Sequence, residues 1–256
     1  MALIQNISFP DGKRPDLRAE DELRPLSFEW DIAPHAQGSI LLKCGNTQVI
    51  CAVTIEEKTP RWMQEQSIAG GWLTAEYSML PYSTEQRKPR DITKGRLDGR
   101  SQEIQRLIGR SLRTAVDLKK IGSRTVCVDC DVLSADGGTR TTAITGAFLA
   151  LKMAVERLRR KGALKESPLL HAVAATSVGI YKNKAILELC YLEDKDATVD
   201  MNLVMTDDGK MVEIQASGEE ASFSDKQFED MMSLGRAGIQ KLFEFQKKAW
   251  AALSLT

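Results

Sequence analysis

The chain has 256 residues, with 35 lysines and arginines against 35 aspartates and glutamates, so its formal charge is zero. That length allows one large domain or two small ones with a real core. No apolar run nears the ~20 residues a membrane span needs, and the charged N-terminus (Asp11, Lys13, Arg14, Asp16, Arg18) lacks a signal peptide's apolar centre.

Gly38 to Glu57 predicts a hairpin about a Gly45-Asn46 turn. Residues 58–70 break the pattern and predict a mobile loop. Strand-like alternation returns from Trp72 to Leu80. Tyr82 to Leu97 is polar, basic and interrupted by Pro89, which predicts an exposed loop. Ser101 to Leu118 predicts one amphipathic helix. Ile104, Leu107, Ile108, Ala115 and Leu118 share its apolar face, and Arg106, Arg110 and Arg113 share the other. Arg100 precedes this helix near the edge of the apolar face, placed to reach something other than bulk water.

Thr125 to Ser134 predicts a strand with Val126, Val128, Cys130 and Val132 on one face. Thr141 to Arg160 predicts a helix stopped by Gly162. Two further strands are expected, 171–181 and 185–193, joined by a turn at 182–184. A polar connection over 193–200 and a hairpin about Asp208-Gly209 follow. Ser224 and Gln227 form a capping box that opens a final helix, with Phe228, Met231, Met232, Ile239 and Leu242 on one side. Strands followed by helices, twice over, predict an α+β fold with a duplicated βαβ-type architecture. No linker divides the chain.

The segment Ala135-Asp136-Gly137-Gly138-Thr139-Arg140 joins a strand to a helix. A Gly-Gly turn at a helix mouth leaves N–H groups aimed outward, and the helix dipole adds roughly half a positive charge there. Thr139 offers a hydroxyl and Arg140 a planar fork that matches a phosphate. These residues suit an anion site; they also suit a tight turn with a solvated arginine.

The zero net charge hides a segregation. Arg87 to Arg124 holds twelve basic and four acidic residues, and Cys190 to Asp230 holds twelve acidic and three basic. The basic stretch suggests a polyanionic substrate; the acidic stretch could hold a divalent cation. Asp194 and Asp200, with Asp196 between them, could together hold Mg²⁺ (or Mn²⁺), and one could donate a proton. Asp200 shares a strand face with Asn202. A phosphate cradle beside a carboxylate pair is what phosphoryl transfer requires. The five cysteines are odd in number and scattered, which suits a reducing cytoplasm. Cys127 and Cys130 fall on opposite faces of a strand, which argues against a metal or redox pair. The only histidines, His35 and His171, read as structural.

Taken together, DELRP at 21–25, GNTQVIC at 45–51, GWLTAEYSMLP at 71–81, GRSQEIQRLIGRSLR at 99–113, DCDVLSADGGTRTTAITGA at 129–147 and VDMNLVM at 199–205 resemble the ribonuclease PH family of phosphate-dependent 3′-exoribonucleases. The resemblance runs from about Arg14 to the end. It implies a duplicated ribosomal-protein-S5-like (domain 2) fold over 14–256, with residues 1–13 as an N-terminal extension. It also implies trimming of tRNA precursors, and possibly rRNA, with inorganic phosphate as co-substrate and nucleoside diphosphates released. The reverse reaction adds nucleotides. A homohexamer, as a trimer of dimers, is implied too.

By position, Arg100 matches the family's phosphate-binding arginine, and Gly138, Thr139 and Arg140 match its phosphate loop. Asp194 and Asp200 match its acidic catalytic pair, and Arg87 and Arg90 match basic positions that contact tRNA. The family's usual Asp-Gly-Arg is Asp16-Leu17-Arg18 here. The arginine usual after S-M-L-P is Tyr82, whose ring could stack on a base. Arg106, Arg110 and Arg113 are candidates for subunit contacts or a solvated helix face. Two other readings are a polynucleotide phosphorylase core and a catalytically inert RNA-binding ring subunit of an exosome-like assembly. The first needs two such domains, and the second loses the loop or carboxylates that this chain keeps.

Overall fold

The computed structural model describes residues 14–218 and 221–253; the expected extension over residues 1–13 lies outside them. The first sheet comprises β1 (Leu26–Trp30), β2 (Gly38–Cys44), β3 (Thr47–Glu56), β4 (Trp72–Met79) and β5 (Thr125–Ser134), in the order β1-β2-β3-β5-β4. Its β4–β5 pair is parallel and the others antiparallel. A parallel pair needs a long crossover, and residues 80–124 supply it with a 3₁₀ turn (Asp91–Lys94), α2 (Gly99–Thr114) and α3 (Leu118–Ile121). A short helix, α1 (Arg61–Glu65), lies between β3 and β4.

The second sheet is antiparallel, with β6 (Val173–Tyr181), β7 (Lys184–Leu187), β8 (Val199–Thr206) and β9 (Met211–Gly218) in the order β7-β6-β8-β9. The long helix α4 (Thr139–Arg160) lies between the two sheets, against β2 and β3 on one side and β6 on the other. The last helix, α6 (Asp225–Ala251), covers the far face of the second sheet. The layers therefore run sheet, helix, sheet, helix.

Burial explains the sequence patterns. β5 packs Val126, Val128, Cys130 and Val132 inward, as its alternation predicts. α4 is buried nearly all round because it has a sheet on either side, so its apolar stripe is broad. β6 is buried along both faces for the same reason. Gln246 of α6 donates to the carbonyls of Thr145 (3.2 Å) and Val173 (2.9 Å), pinning that helix to α4 and β6 together. Gly38 lets β2 approach the central helix: a Cβ there would fall on the Ala150 carbonyl oxygen and 2.7 Å from the Ala154 nitrogen.

The structure corrects several expectations. The loop over 58–70 contains α1. The helix expected over 101–118 ends at Thr114, and Asp117 caps the separate α3 by accepting from the Lys119 N–H. Arg113 is not on a solvated face: it donates to the Leu73 carbonyl and stands over the Trp72 ring at 5.1 Å. Arg110 pairs with Glu213 of β9. The strand expected over 185–193 stops at Leu187, and residues 191–196 form a helix, α5 (Tyr191–Asp196), not a polar connection. Glu188 has φ of +54°, which breaks the strand there. The final capping box forms as predicted, with the Ser224 hydroxyl accepting from the Gln227 N–H and the Gln227 amide oxygen accepting from the Ser224 N–H.

Candidate active site

The Gly137-Gly138 turn delivers the chain from β5 into the first turn of α4. Both glycines have positive φ, +73° and +60°, and Gly138 is the helix N-cap. Close packing enforces glycine as well. A Cβ on Gly137 would meet the Leu189 carbonyl oxygen at 2.5 Å, and one on Gly138 would meet an Arg24 guanidinium nitrogen at 2.9 Å. Because the N-cap is a glycine with no side-chain acceptor, the first N–H groups of α4 are left to an external anion.

Tyr77, on β4, gathers the expected phosphate ligands. Its hydroxyl lies 2.8 Å from the Thr139 hydroxyl. Burial pushes its pKa up, while the Thr139 hydrogen bond and the charges of Arg100 and Arg140 pull against that rise. Both guanidinium groups therefore lie near one buried phenol. Arg100 is exposed in the first turn of α2, and Arg140 is held by Glu103 (3.2 Å) and by the Gln215 amide oxygen (3.0 Å). Loop, hydroxyl and two arginines from three elements thus converge.

The second sheet brings its polar face to the same place. Ser177, Asn202 and Gln215 stand in register across β6, β8 and β9, and the next pair on that face is Gly179 and Asp200. Gln215 touches Arg140, and the Ser177 hydroxyl would lie 3.9 Å from a Cβ on Gly138. Asn202 donates to Asp200 at 3.2 Å. Asp200 is half-buried on this row, and Asp194 is half-buried on α5. The start of α5 is tied to the loop, since the Tyr191 N–H donates to Asp136 Oδ1 at 3.0 Å. Among the described residues, no group of three or more His, Cys, Asp and Glu side chains is placed to hold a metal ion. Mg²⁺ keeps several waters and takes oxygens from substrate phosphates, so its binding requires only one or two protein carboxylates.

The expected RNA-contacting residues are all exposed. Arg87 and Arg90 are exposed, and Tyr82 is 68% exposed. Arg90 lies close enough to Asp131 of β5 to offset part of the upward push that burial gives that carboxyl. The basic loop therefore runs beside the strand that feeds the glycine turn.

A buried ion network beneath this site was not foreseen. Arg14 grips Glu193 with two hydrogen bonds of 2.7 and 2.9 Å, and Glu193 accepts from the Cys190 N–H at the head of α5. The Glu188 carboxylate accepts from the Arg24 N–H and from the Cys44 thiol, each at 2.5 Å. The Glu188 carbonyl accepts from Arg14 and Arg18, each at 2.9 Å. Burial opposes the charge on Arg24, and the Glu188 and Asp136 carboxylates beside it favour that charge. Cys44 is itself pushed well above the usual thiol range, by burial and by Glu188. It is a neutral thiol near pH 7, so the carboxylates supply the attraction. The only signal in the sequence is that Glu188 and Glu193 interrupt an otherwise apolar run.

The sequence matches the description "3′ exoribonuclease family, domain 1" over residues 22–155 and "domain 2" over 171–238. It is 52% identical over 242 residues to ribonuclease PH of Halalkalibacterium halodurans, covering 94% of this chain and 93% of that one. To ribonuclease PH of Bacillus subtilis it is 50% identical over 236 residues, covering 92% and 96%. The fold matches an RNA-bound exosome structure from Archaeoglobus fulgidus with a TM-score of 0.78 at 24% identity, covering 91% of this chain and 92% of that one.

With phosphate at the glycine turn, replacing Arg100 or Arg140 by alanine would remove a charged donor from it. Each substitution should weaken inorganic phosphate binding by about tenfold or more, read by titration calorimetry. Wild-type affinity in either variant would take that residue out of the pocket.

Proposed function

The chain belongs to the ribonuclease PH family of phosphorolytic 3′-exoribonucleases, and we propose that its glycine loop and carboxylate pair divide that reaction between them. Inorganic phosphate is the co-substrate and an RNA 3′ end the substrate; the products are a nucleoside diphosphate and an RNA one residue shorter. The alternative of an inert ring subunit is less supported, because the chain carries the loop and both carboxylates.

The observation that carries the assignment of residues is the convergence of Arg100, Thr139 and Arg140 around Tyr77 at the unfilled N-cap of α4. Phosphate is held there by the loop amides, the Thr139 hydroxyl and the two guanidinium groups. The Tyr77 and Thr139 hydroxyls are 2.8 Å apart and either can donate; with Tyr77 as the donor, the Thr139 proton is left for the phosphate. The bound anion then attacks the last phosphodiester, and the leaving 3′ oxygen takes a proton from the carboxyl of Asp194 or Asp200. Asp194 and Asp200 would also hold Mg²⁺ (or Mn²⁺). When bound, that ion supplies charge neutralisation to the attacked phosphoryl group. Positioning and electrostatics carry most of the barrier reduction in such transfers.

The decisive experiment incubates the protein with tRNA bearing extra 3′ nucleotides, with and without phosphate. Nucleoside diphosphates should appear only with phosphate. Asp194→Asn and Asp200→Asn should each lower turnover by about a hundredfold or more while RNA still binds. Full turnover in both variants, with unchanged Mg²⁺ dependence, would contradict the assignment.

tRNA precursors are the proposed RNA, gripped by Arg87 and Arg90 with Tyr82 stacking on a base. Replacing both arginines should weaken tRNA binding and flatten its salt dependence by about 0.7–0.9 units of slope per lost phosphate contact. Dinucleotide-scale substrates should be affected far less; equal losses on short and long substrates would remove the loop from the RNA path.

We further infer a homohexamer, a trimer of dimers, in a cytoplasmic setting that the five free cysteines suit. No helix among the described residues is long and apolar enough to cross a membrane. The separated basic and acidic stretches, with no net charge to oppose association, favour self-assembly. Sedimentation should give a mass near six times 28.4 kDa; a strictly monomeric protein with full activity on tRNA precursors would exclude the ring.

A further inference from the structure

Arg24 lies directly beneath the glycine turn and is 3% exposed. One guanidinium nitrogen donates to the Asp136 carbonyl, and another donates to the Gly137 carbonyl at 3.3 Å. The first also lies 3.5 Å from the Thr47 hydroxyl. Thr47 reinforces the arrangement, since its hydroxyl donates to the Gly137 carbonyl at 2.7 Å and accepts from the Asp136 N–H at 2.9 Å. The side chain is paired with Glu188 by charge, although its buried Nε has no hydrogen-bond partner among the described residues. Its Nε stands 3.7 Å from Glu188 Oε2, the same oxygen that accepts from the Arg24 backbone N–H.

Planar trans peptides turn this grip into a statement about the anion side. In each such unit the carbonyl and the following N–H point in opposite directions. Drawing the Asp136 and Gly137 carbonyls down onto one guanidinium therefore turns the Gly137 and Gly138 N–H groups up and away from it. The loop could adopt many other conformations, because two adjacent glycines restrict the backbone least. Arg24 selects one of them. The fork shape matters: one planar group reaches two carbonyls at once, which an ammonium does less well.

We propose that Arg24, anchored by Glu188, is a positioning residue that presets the phosphate loop by holding the Asp136 and Gly137 carbonyls away from the anion. Arg24 touches neither phosphate nor RNA in this arrangement; it acts through the backbone of Gly137 and Gly138. The inference rests on the glycine loop being the phosphate site. It goes beyond that reading by assigning the loop's shape to a buried charge from a distant part of the chain.

The test compares Arg24→Met, Arg24→Lys and Glu188→Gln with the wild type. For each, kcat, KM for phosphate, KM for RNA and thermal midpoint are measured. Arg24→Met should raise the phosphate KM about tenfold or more and leave the RNA KM in place. Arg24→Lys should recover part of the loss, and Glu188→Gln should move the phosphate KM in the same direction by less. A merely structural role would lower the thermal midpoint and the active fraction without moving either KM. A folded Arg24→Met protein with wild-type phosphate KM overturns the proposal. If the methionine variant does not fold, the lysine variant decides, and an unchanged phosphate KM there overturns it equally. The Arg140→Ala control separates the two levels. If it too leaves the phosphate KM unchanged, the loop is not the phosphate site and both readings fall. If it raises that KM while the Arg24 variants do not, the positioning role alone falls.

Discussion

Five buried charges hold this molecule's working parts together. Arg14, Arg18 and Arg24 come from the segment that precedes the first strand, and Glu188 and Glu193 flank the start of α5. Taking such groups out of water is costly, and mutual attraction offsets the cost only when geometry is good and every remaining lone pair is used. The Arg14–Glu193 pair meets that condition, whereas the buried Nε of Arg24 has no hydrogen-bond partner among the described residues. The Glu193 carboxylate receives two bonds from Arg14 and one from a helix-head N–H, and its side chain has no exposure. Removing one partner of such a pair costs about 3–5 kcal/mol, because the survivor is left charged and dry. The gain over an apolar core of the same volume is not stability. It is a fixed relation among three segments that are far apart in the sequence: the N-terminal arm, the glycine loop and the helix bearing Asp194.

That arrangement explains which features could be read from the sequence. β5, the α4 helix, the 38–57 hairpin and the Ser224 capping box each rest on patterns within a few residues of one another. The glycine loop, Thr139 and Arg140 were legible for the same reason, as was Asp200 sharing a face with Asn202. The resemblance to a known family added Arg100 and Asp194, which local pattern alone only suggested. Partners that meet across the fold leave no such trace. Arg14 and Glu193 are 179 residues apart, and Arg24 and Glu188 are 164 apart. The start of α5 was misread as strand because 185–193 is mostly apolar. What breaks it is a buried carboxylate at φ +54°, whose stabilising partners lie elsewhere in the chain.

The two-sided burial of α4 bears on function as well as on packing. A helix N-terminus attracts an anion only if its end is fixed and its N–H groups stay unclaimed. α4 is clamped between two sheets along most of its length, so its first turn cannot fray. The helix is also where the two halves of the chain meet. The first sheet contributes Tyr77 and the crossover helix contributes Arg100. The second sheet contributes Gln215, Asn202 and Asp200. A site built this way exists only when both halves have packed on one helix, which couples its geometry to the global fold.

Arg140 shows how such a site is held ready. Its guanidinium is only 13% exposed and shares a carboxylate oxygen of Glu103 with the Gln215 amide. An unpaired arginine at this depth would be costly, and a loose one would lose its aim. Glu103 is 45% exposed, so solvent screens its pairing and makes it weak. A phosphate, with more charge and a geometry matched to the planar fork, can compete for that guanidinium while Gln215 keeps it oriented. The loop beneath follows the opposite rule. Its carbonyls are committed to Arg24, a fully buried partner that an incoming anion has no means to displace. One arginine is thus held by a partner it can exchange, and the other by partners it cannot. The difference in burial between Glu103 and Glu188 is what separates the two roles.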